Sequence, residues 1–171
     1  MVECGSKHYM DTLHSFEPIA TSQSCLLILG SMPSATSLSK NEYYGHPRNA
    51  FWPILADLFN HSIATYADKI DLLQTHKIAL WDVLSECTRI GSADASIRDV
   101  KPNDLHSFLS LLPSLRMIIC NGTLAMRLFL RFGPSFENVV QCPSTSAANT
   151  MAISSKAEAW TTMIKRGLEI S

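Results

Sequence analysis

Four short apolar runs, Cys25–Leu29, Lys77–Val83, Leu115–Cys120 and Asn138–Cys142, constrain this chain more than anything else in it. Each has the length and the aliphatic or β-branched content of a strand buried on both faces. Between them, apolar residues recur at helical spacing. Phe51, Trp52, Leu55, Leu58 and Phe59 mark one stripe, and Ile70 with Leu73 ends another. Leu105, Phe108, Leu109 and Leu112 form a third, with Pro102 at a first-turn position. Thr123–Phe132 follows an Asn-Gly turn, and Ser155–Ile170 closes the chain with Trp160 and Ile164 on one face. Alternating strands and helices predict an α/β fold with a parallel sheet covered on both sides. Residues 84–104 are polar and read as an excursion with little regular structure.

A length of 171 residues suits one domain, 1–171, and 46% hydrophobic against 17% charged residues describes a packed chain rather than a disordered one. No apolar run approaches the ~20 residues of a membrane span, and the N-terminus lacks the basic-then-apolar pattern of a signal peptide. The five cysteines (Cys4, Cys25, Cys87, Cys120, Cys142) are widely spaced and form no CxxC pair. That excludes a zinc ribbon or a Cys-ligated iron–sulfur cluster and suits reduced core thiols in an intracellular protein. His46, His61 and His76 are too far apart to suggest a metal site. A net charge of −1 argues against coating nucleic acid through bulk charge, while leaving room for a local site.

Each predicted strand ends in residues of chemical interest: Gly30–Ser34, Trp81–Asp82, Asn121–Gly122 and Pro143–Ser146. Ligands of open parallel sheets bind at the carboxyl ends of the strands, so these segments should meet in one crevice. Gly30 and Pro33 shape a turn that brings backbone N–H groups close to a ligand, and Ser31 and Ser34 add hydroxyls; a plain strand-to-loop turn looks similar. In the block Tyr43–Trp52 (YYGHPRNAFW), a tyrosine face can stack on a nucleobase or simply cap the core. His46 and Arg48 suit either phosphate contacts or an ordinary solvated turn. Asn49 before an apolar helix is either its cap or an amide that orients a water or a base edge. Asp82 can act as a general base, stabilise a developing cation or cap a turn. The stretch Pro143–Asn149 offers hydroxyls and N–H groups to a phosphate near a helix start. No GxSxG elbow, P-loop lysine, GxGxxG or HExxH is present.

Together these segments resemble the uracil-DNA glycosylase superfamily, and within it the branch of DNA-deoxyinosine (hypoxanthine-DNA) glycosylases. The matching residues are Leu27–Ser34 with Ser37 and Leu38, the YYGHPRNAFW block, Ile78–Val83 and Pro102–Asp104. Asn121–Gly122, Pro143–Ser146, Ala148 and Asn149 follow, and His14–Pro18 resembles the lead-in, so nearly the whole chain is covered. The resemblance implies a three-layer α/β/α domain with a central four-stranded parallel sheet. It also implies hydrolysis of the bond between a deaminated base and deoxyribose after base flipping. Many members carry a water-activating Asn or Asp after the first strand; here that position is Met32, which cannot activate water. In the deoxyinosine branch the catalytic amide is the Asn of the GHPRN block, here Asn49.

By the same resemblance Tyr44 stacks on the flipped base, with Gly30, Ser31, Met32 and His46 also around the base. Ser34, Arg48, Ser144, Ser146 and Asn149 are expected on the DNA backbone, and Asp82 is a second catalytic candidate. No cofactor, metal or iron–sulfur cluster is implied. The expected partner is DNA containing deaminated bases, and the expected setting a monomer in bacterial or archaeal cytoplasm, away from membranes. Many members also push a bulky apolar wedge into the gap left by the flipped base. Here that stretch is Ala147–Asn149, with Ala147 where Pro is common in the branch, so flipping would rely on poorly paired bases, on strand separation or on another residue. No lysine stands out as a Schiff-base nucleophile, which predicts a monofunctional enzyme that leaves an abasic site. The alternatives are a mismatch-type uracil-DNA glycosylase, a lesion-binding module without turnover, and a hydrolase of free nucleosides or nucleotides.

Overall fold

Leu26, Leu27, Ile28 and Leu29 have no exposed surface at all, which identifies the centre of the molecule. A computed structural model describes residues 11–170; Cys4 and the start of the chain lie outside the described residues. In chain order the first half contains β1 (Thr12–His14), β2 (Leu26–Gly30), α1 (Ala35–Lys40), α2 (Phe51–Phe59), α3 (Tyr66–Thr75) and β3 (Ile78–Asp82). The second half contains β4 (Leu84–Thr88), β5 (Arg98–Pro102), α4 (Leu105–Ser110), β6 (Met117–Asn121), α5 (Thr123–Phe132), β7 (Val139–Cys142) and α6 (Ile153–Leu168).

The four apolar runs form the parallel sheet in the order β3-β2-β6-β7. Alternate side chains of β2 leave on opposite faces. Leu26 and Ile28 pack with Phe51, Trp52, Leu55, Leu72 and Trp160 from α2, α3 and α6. Leu27 and Leu29 pack with Leu105, Phe108, Leu128 and Phe129 from α4 and α5. The result is the expected three-layer α/β/α arrangement. Each fully buried aliphatic of β2 contributes roughly 1.5–3 kcal/mol, so the sheet centre is the least yielding part of the fold. Cys25, Cys87, Cys120 and Cys142 are buried free thiols, and burial pushes those of Cys120 and Cys142 up to about 12.

Residues 84–104 depart from the expected irregular excursion. β4 pairs antiparallel with β1 and with β5, giving a second, three-stranded sheet. Leu84 and Cys87 face the core beside Leu13 and Val100, while the rest of β4 and β5 is half-exposed or exposed, which hides the strand pattern. Pro102 ends β5 rather than starting α4, whose cap is Asp104: its carboxylate accepts from the Ser107 N–H at 3.1 Å. The short helix α1 was not expected, because its sequence ATSLSK has no apolar stripe.

In-register pairing fixes what the strands deliver. Gly30 lies opposite Asp82, and Asn121 lies opposite Cys142. The carboxyl ends of all four parallel strands therefore open into one cleft.

Candidate active site

A cleft of about 560 Å³ opens at these strand ends, within the size range of small-molecule sites. Its floor is set by Gly30. A Cβ there would lie 2.3 Å from Asp82 Oδ1 and 3.1 Å from the Tyr44 hydroxyl, so only glycine lets both side chains in. The Tyr44 hydroxyl and Asp82 Oδ2 are both buried, without a hydrogen-bond partner among the described residues. Burial raises the Asp82 carboxyl to about 7 against a modest opposing pull from Arg89, and burial also raises the Tyr44 phenol. Tyr44 adopts a left-handed backbone (φ 52°), and its ring lies on Phe51 with centroids 4.1 Å apart. Tyr43 is a core ring instead: it is 3% exposed and its hydroxyl donates to the Glu17 carbonyl at 2.8 Å.

Two hydrogen-bond chains tie the loops around this floor. Ser34 caps α1, accepting from the Ser37 N–H at 3.1 Å, and Ser37 Oγ in turn accepts from the Gly45 N–H at 3.0 Å. The first turn and the aromatic block are thereby held together. On the other side, Asn121 and Thr145 pair reciprocally. Asn121 Nδ2 donates to Thr145 Oγ1 and Asn121 Oδ1 accepts from the Thr145 N–H, both at 2.9 Å. The Thr145 carbonyl then accepts from the Ala50 N–H at 3.0 Å, next to Asn49. Asn49 Oδ1 accepts from the Phe51 N–H at 3.0 Å, so the amide braces the start of α2. Its Nδ2 has no partner among the described residues, and Asn49 lines the cleft.

The family model of the uracil DNA glycosylase superfamily matches residues 18–165, the span that holds every cleft-lining residue. The chain belongs to the uracil DNA glycosylase superfamily. Its relatives include two proteins named hypoxanthine DNA glycosylase. The one from Methanosarcina barkeri is 31% identical over 155 residues, covering 88% of this chain and 97% of its own. The one from Methanosarcina acetivorans is 36% identical over 139 residues, covering 79% and 87%. A solution NMR structure of a candidate uracil DNA glycosylase from M. acetivorans superposes with a TM-score of 0.78 at 30% identity, covering 93% of this chain and 99% of that one. Members of this superfamily are DNA glycosylases, hydrolases that act on N-glycosidic bonds.

Within this glycosylase fold the cleft gathers Gly30, Ser31, Met32, Ser34, Tyr44, Asn49, Asp82, Ser144, Ser146 and Asn149. His46 and Arg48 lie outside its lining, in the turn before α2, where His46 Nδ1 accepts from the Arg48 N–H at 3.1 Å. Ser34 spends its hydroxyl on the α1 cap, donating to Ser37 Oγ at 3.0 Å. Asn149 spends both ends of its amide on the local turn, donating to the Ser144 carbonyl and accepting from the Met151 N–H. Ser144 Oγ and Ser146 Oγ each accept one backbone N–H and keep their own protons free to donate.

Two buried cations, one lining the cleft and one behind its Ser146–Asn149 rim, escaped sequence reasoning. Arg89, 7% exposed, lines the cleft and donates to the Pro33 carbonyl at 2.6 Å and to the Gly91 carbonyl at 2.9 Å. Lys156, 3% exposed, donates to the Ser146 and Asn149 carbonyls. In the sequence Arg89 sits in a polar stretch and Lys156 in a helical one, and neither position carries a motif.

Proposed function

We propose that this chain excises hypoxanthine from deoxyinosine in DNA by monofunctional hydrolysis, with Asn49 holding the attacking water. The observation that carries the reading is the Asn49 amide: it lines the cleft with a free Nδ2, in a chain whose relatives are named hypoxanthine DNA glycosylase. Met32, 8% exposed and lining the same cleft, has no group that activates water.

A base inside a duplex is out of reach, so the nucleotide must first turn out of the stack. The cleft has room for a purine, and Tyr44, seated on Phe51, offers an aromatic wall for stacking. Cleavage of the glycosidic bond builds positive charge on the sugar and negative charge on the departing base. Ionised Asp82 supplies a negative charge from the floor towards the sugar. The turn at Gly30–Ser34 and the free Nδ2 of Asn49 supply donors towards the base and the water. The hydroxyls of Ser144 and Ser146 contact the DNA backbone. In this reading His46, expected around the base but outside the cleft lining, joins Arg48 in contacting the DNA backbone beyond the flipped nucleotide.

Single-turnover base release from duplexes bearing hypoxanthine or uracil tests the reading. Hypoxanthine release by the wild type is expected, with a loss on the order of 100-fold or more in Asn49→Ala. An Asn49→Ala enzyme that keeps most of the rate removes Asn49 from the role. Cleavage of G·U pairs with hypoxanthine left untouched would overturn the substrate in favour of a mismatch-type uracil glycosylase.

A further inference from the structure

Lys156 closes the first turn of α6 with its ammonium inside the protein. Its Nζ donates to the Ser146 carbonyl at 3.0 Å and to the Asn149 carbonyl at 2.8 Å. No carboxylate pairs with it among the described residues. For stability the choice is poor. A buried ammonium without a counter-ion loses hydration that two carbonyls only partly replace. A cation in the first turn of a helix also opposes the helix dipole. A methionine would fill the same space with neither cost.

Peptide geometry gives the charge another use. In a trans peptide the C=O and the N–H point in opposite directions. Drawing the Ser146 and Asn149 carbonyls inward onto the ammonium turns the N–H groups of Ala147 and Thr150 outward. Both residues are exposed, and neither N–H has a partner among the described residues. Two outward donors with an unneutralised cation behind them form an anion receptor. The unspent hydroxyl protons of Ser144 and Ser146 flank it.

We propose that Lys156 is a positioning residue that makes the Ser144–Thr150 turn a receptor for one phosphodiester, with the Ala147 and Thr150 N–H groups as its donors. This holds only if DNA is the substrate, as proposed for the cleft. Two variants separate the parts. Lys156→Met removes the charge. Ala147→Pro deletes one donor and leaves Lys156 in place. Ala147 is the second residue of the β-turn closed by the Asn149 N–H on the Ser146 carbonyl, a position where proline fits.

The experiment measures equilibrium binding of an undamaged duplex and of a hypoxanthine-bearing duplex. Thermal melts and single-turnover base release at saturating DNA are measured on the same proteins. Each variant is expected to bind about tenfold more weakly, the worth of a hydrogen bond to a charged group. The loss should be equal for both duplexes, because backbone contacts carry no sequence information. The saturating rate should stay within about twofold of wild type. Unchanged affinity in either variant overturns the proposal. So does a Lys156→Met enzyme whose saturating rate and melting temperature fall while its affinity holds, the signature of a structural role alone. Failure of the wild type to release any base sinks the DNA-glycosylase reading, whereas release with unchanged variant affinity sinks this inference only.

Discussion

At the scale of single residues, Asp82 is where fold and chemistry pull in opposite directions. The sheet delivers its carboxyl to the cleft floor opposite Gly30 and leaves Oδ2 without a partner among the described residues. Burial therefore raises it from an ordinary 3.8 to about 7. The folded state keeps this proton where the unfolded chain has lost it, so stability falls as pH rises from about 4 to about 7 and then levels. Asp82→Asn is expected to remove that slope and to melt higher than wild type at pH 8; equal melting temperatures there would contradict it. The catalytic rate should move the other way in the wild type, rising through about pH 7 as the carboxylate forms. Asn49 shows how far such roles were legible beforehand. The residue type and its place before α2 allowed either a helix cap or an amide that orients a water or a base edge; Ala50 takes the cap position, while Asn49 Oδ1 accepts from the Phe51 N–H and its Nδ2 keeps no partner among the described residues. His46 and Arg48 read equally well in the sequence, but a turn closed by the Asn49 N–H on the His46 carbonyl carries them outside the cleft lining.

At the scale of elements, legibility followed burial. The four parallel strands were placed to within two residues, because strands buried on both faces appear as continuous apolar runs. β1, β4 and β5 were missed because they expose much of their surface and pair across long separations, as Thr12 does with Thr88. That missed sheet matters to the site. Its β4–β5 connection is clipped to the first turn by Arg89 on the Pro33 carbonyl, 56 residues away, and by Ser92 Oγ accepting from the Ala35 N–H at 2.9 Å. A partner so distant leaves no local mark, so a buried arginine reads in the sequence as one more solvated charge. Arg89→Met is expected to cost about 3 kcal/mol, since it strands a buried carbonyl and frees the connection. Denaturant unfolding gives the size. Limited proteolysis between Ile90 and Ser96 should appear in the variant and be absent in the wild type. A loss below about 0.5 kcal/mol would mean the clip is ornamental.

At the scale of the whole molecule, the placement of amines bears on whether the proposed glycosylase also nicks DNA. A glycosylase that also nicks DNA needs a neutral amine within reach of the sugar carbon to form a Schiff base. Among the described residues the cleft lining includes Arg89 and Arg127 but no lysine. The lysines nearest the site in the chain are already engaged. Lys40 donates to the Gly45 carbonyl at 3.0 Å, Lys69 pairs with Glu42 at 3.4 Å, and Lys156 is buried on two carbonyls. Guanidinium groups stay protonated and do not take over the task. Incubation with hypoxanthine-bearing DNA and borohydride should therefore trap no covalent complex, and the strand should stay intact until alkali or heat cleaves the abasic site. A trapped adduct would require one of these lysines to leave its partners and enter the cleft. Lys156 would be the first to test, because releasing it would also free the turn expected to hold the DNA backbone.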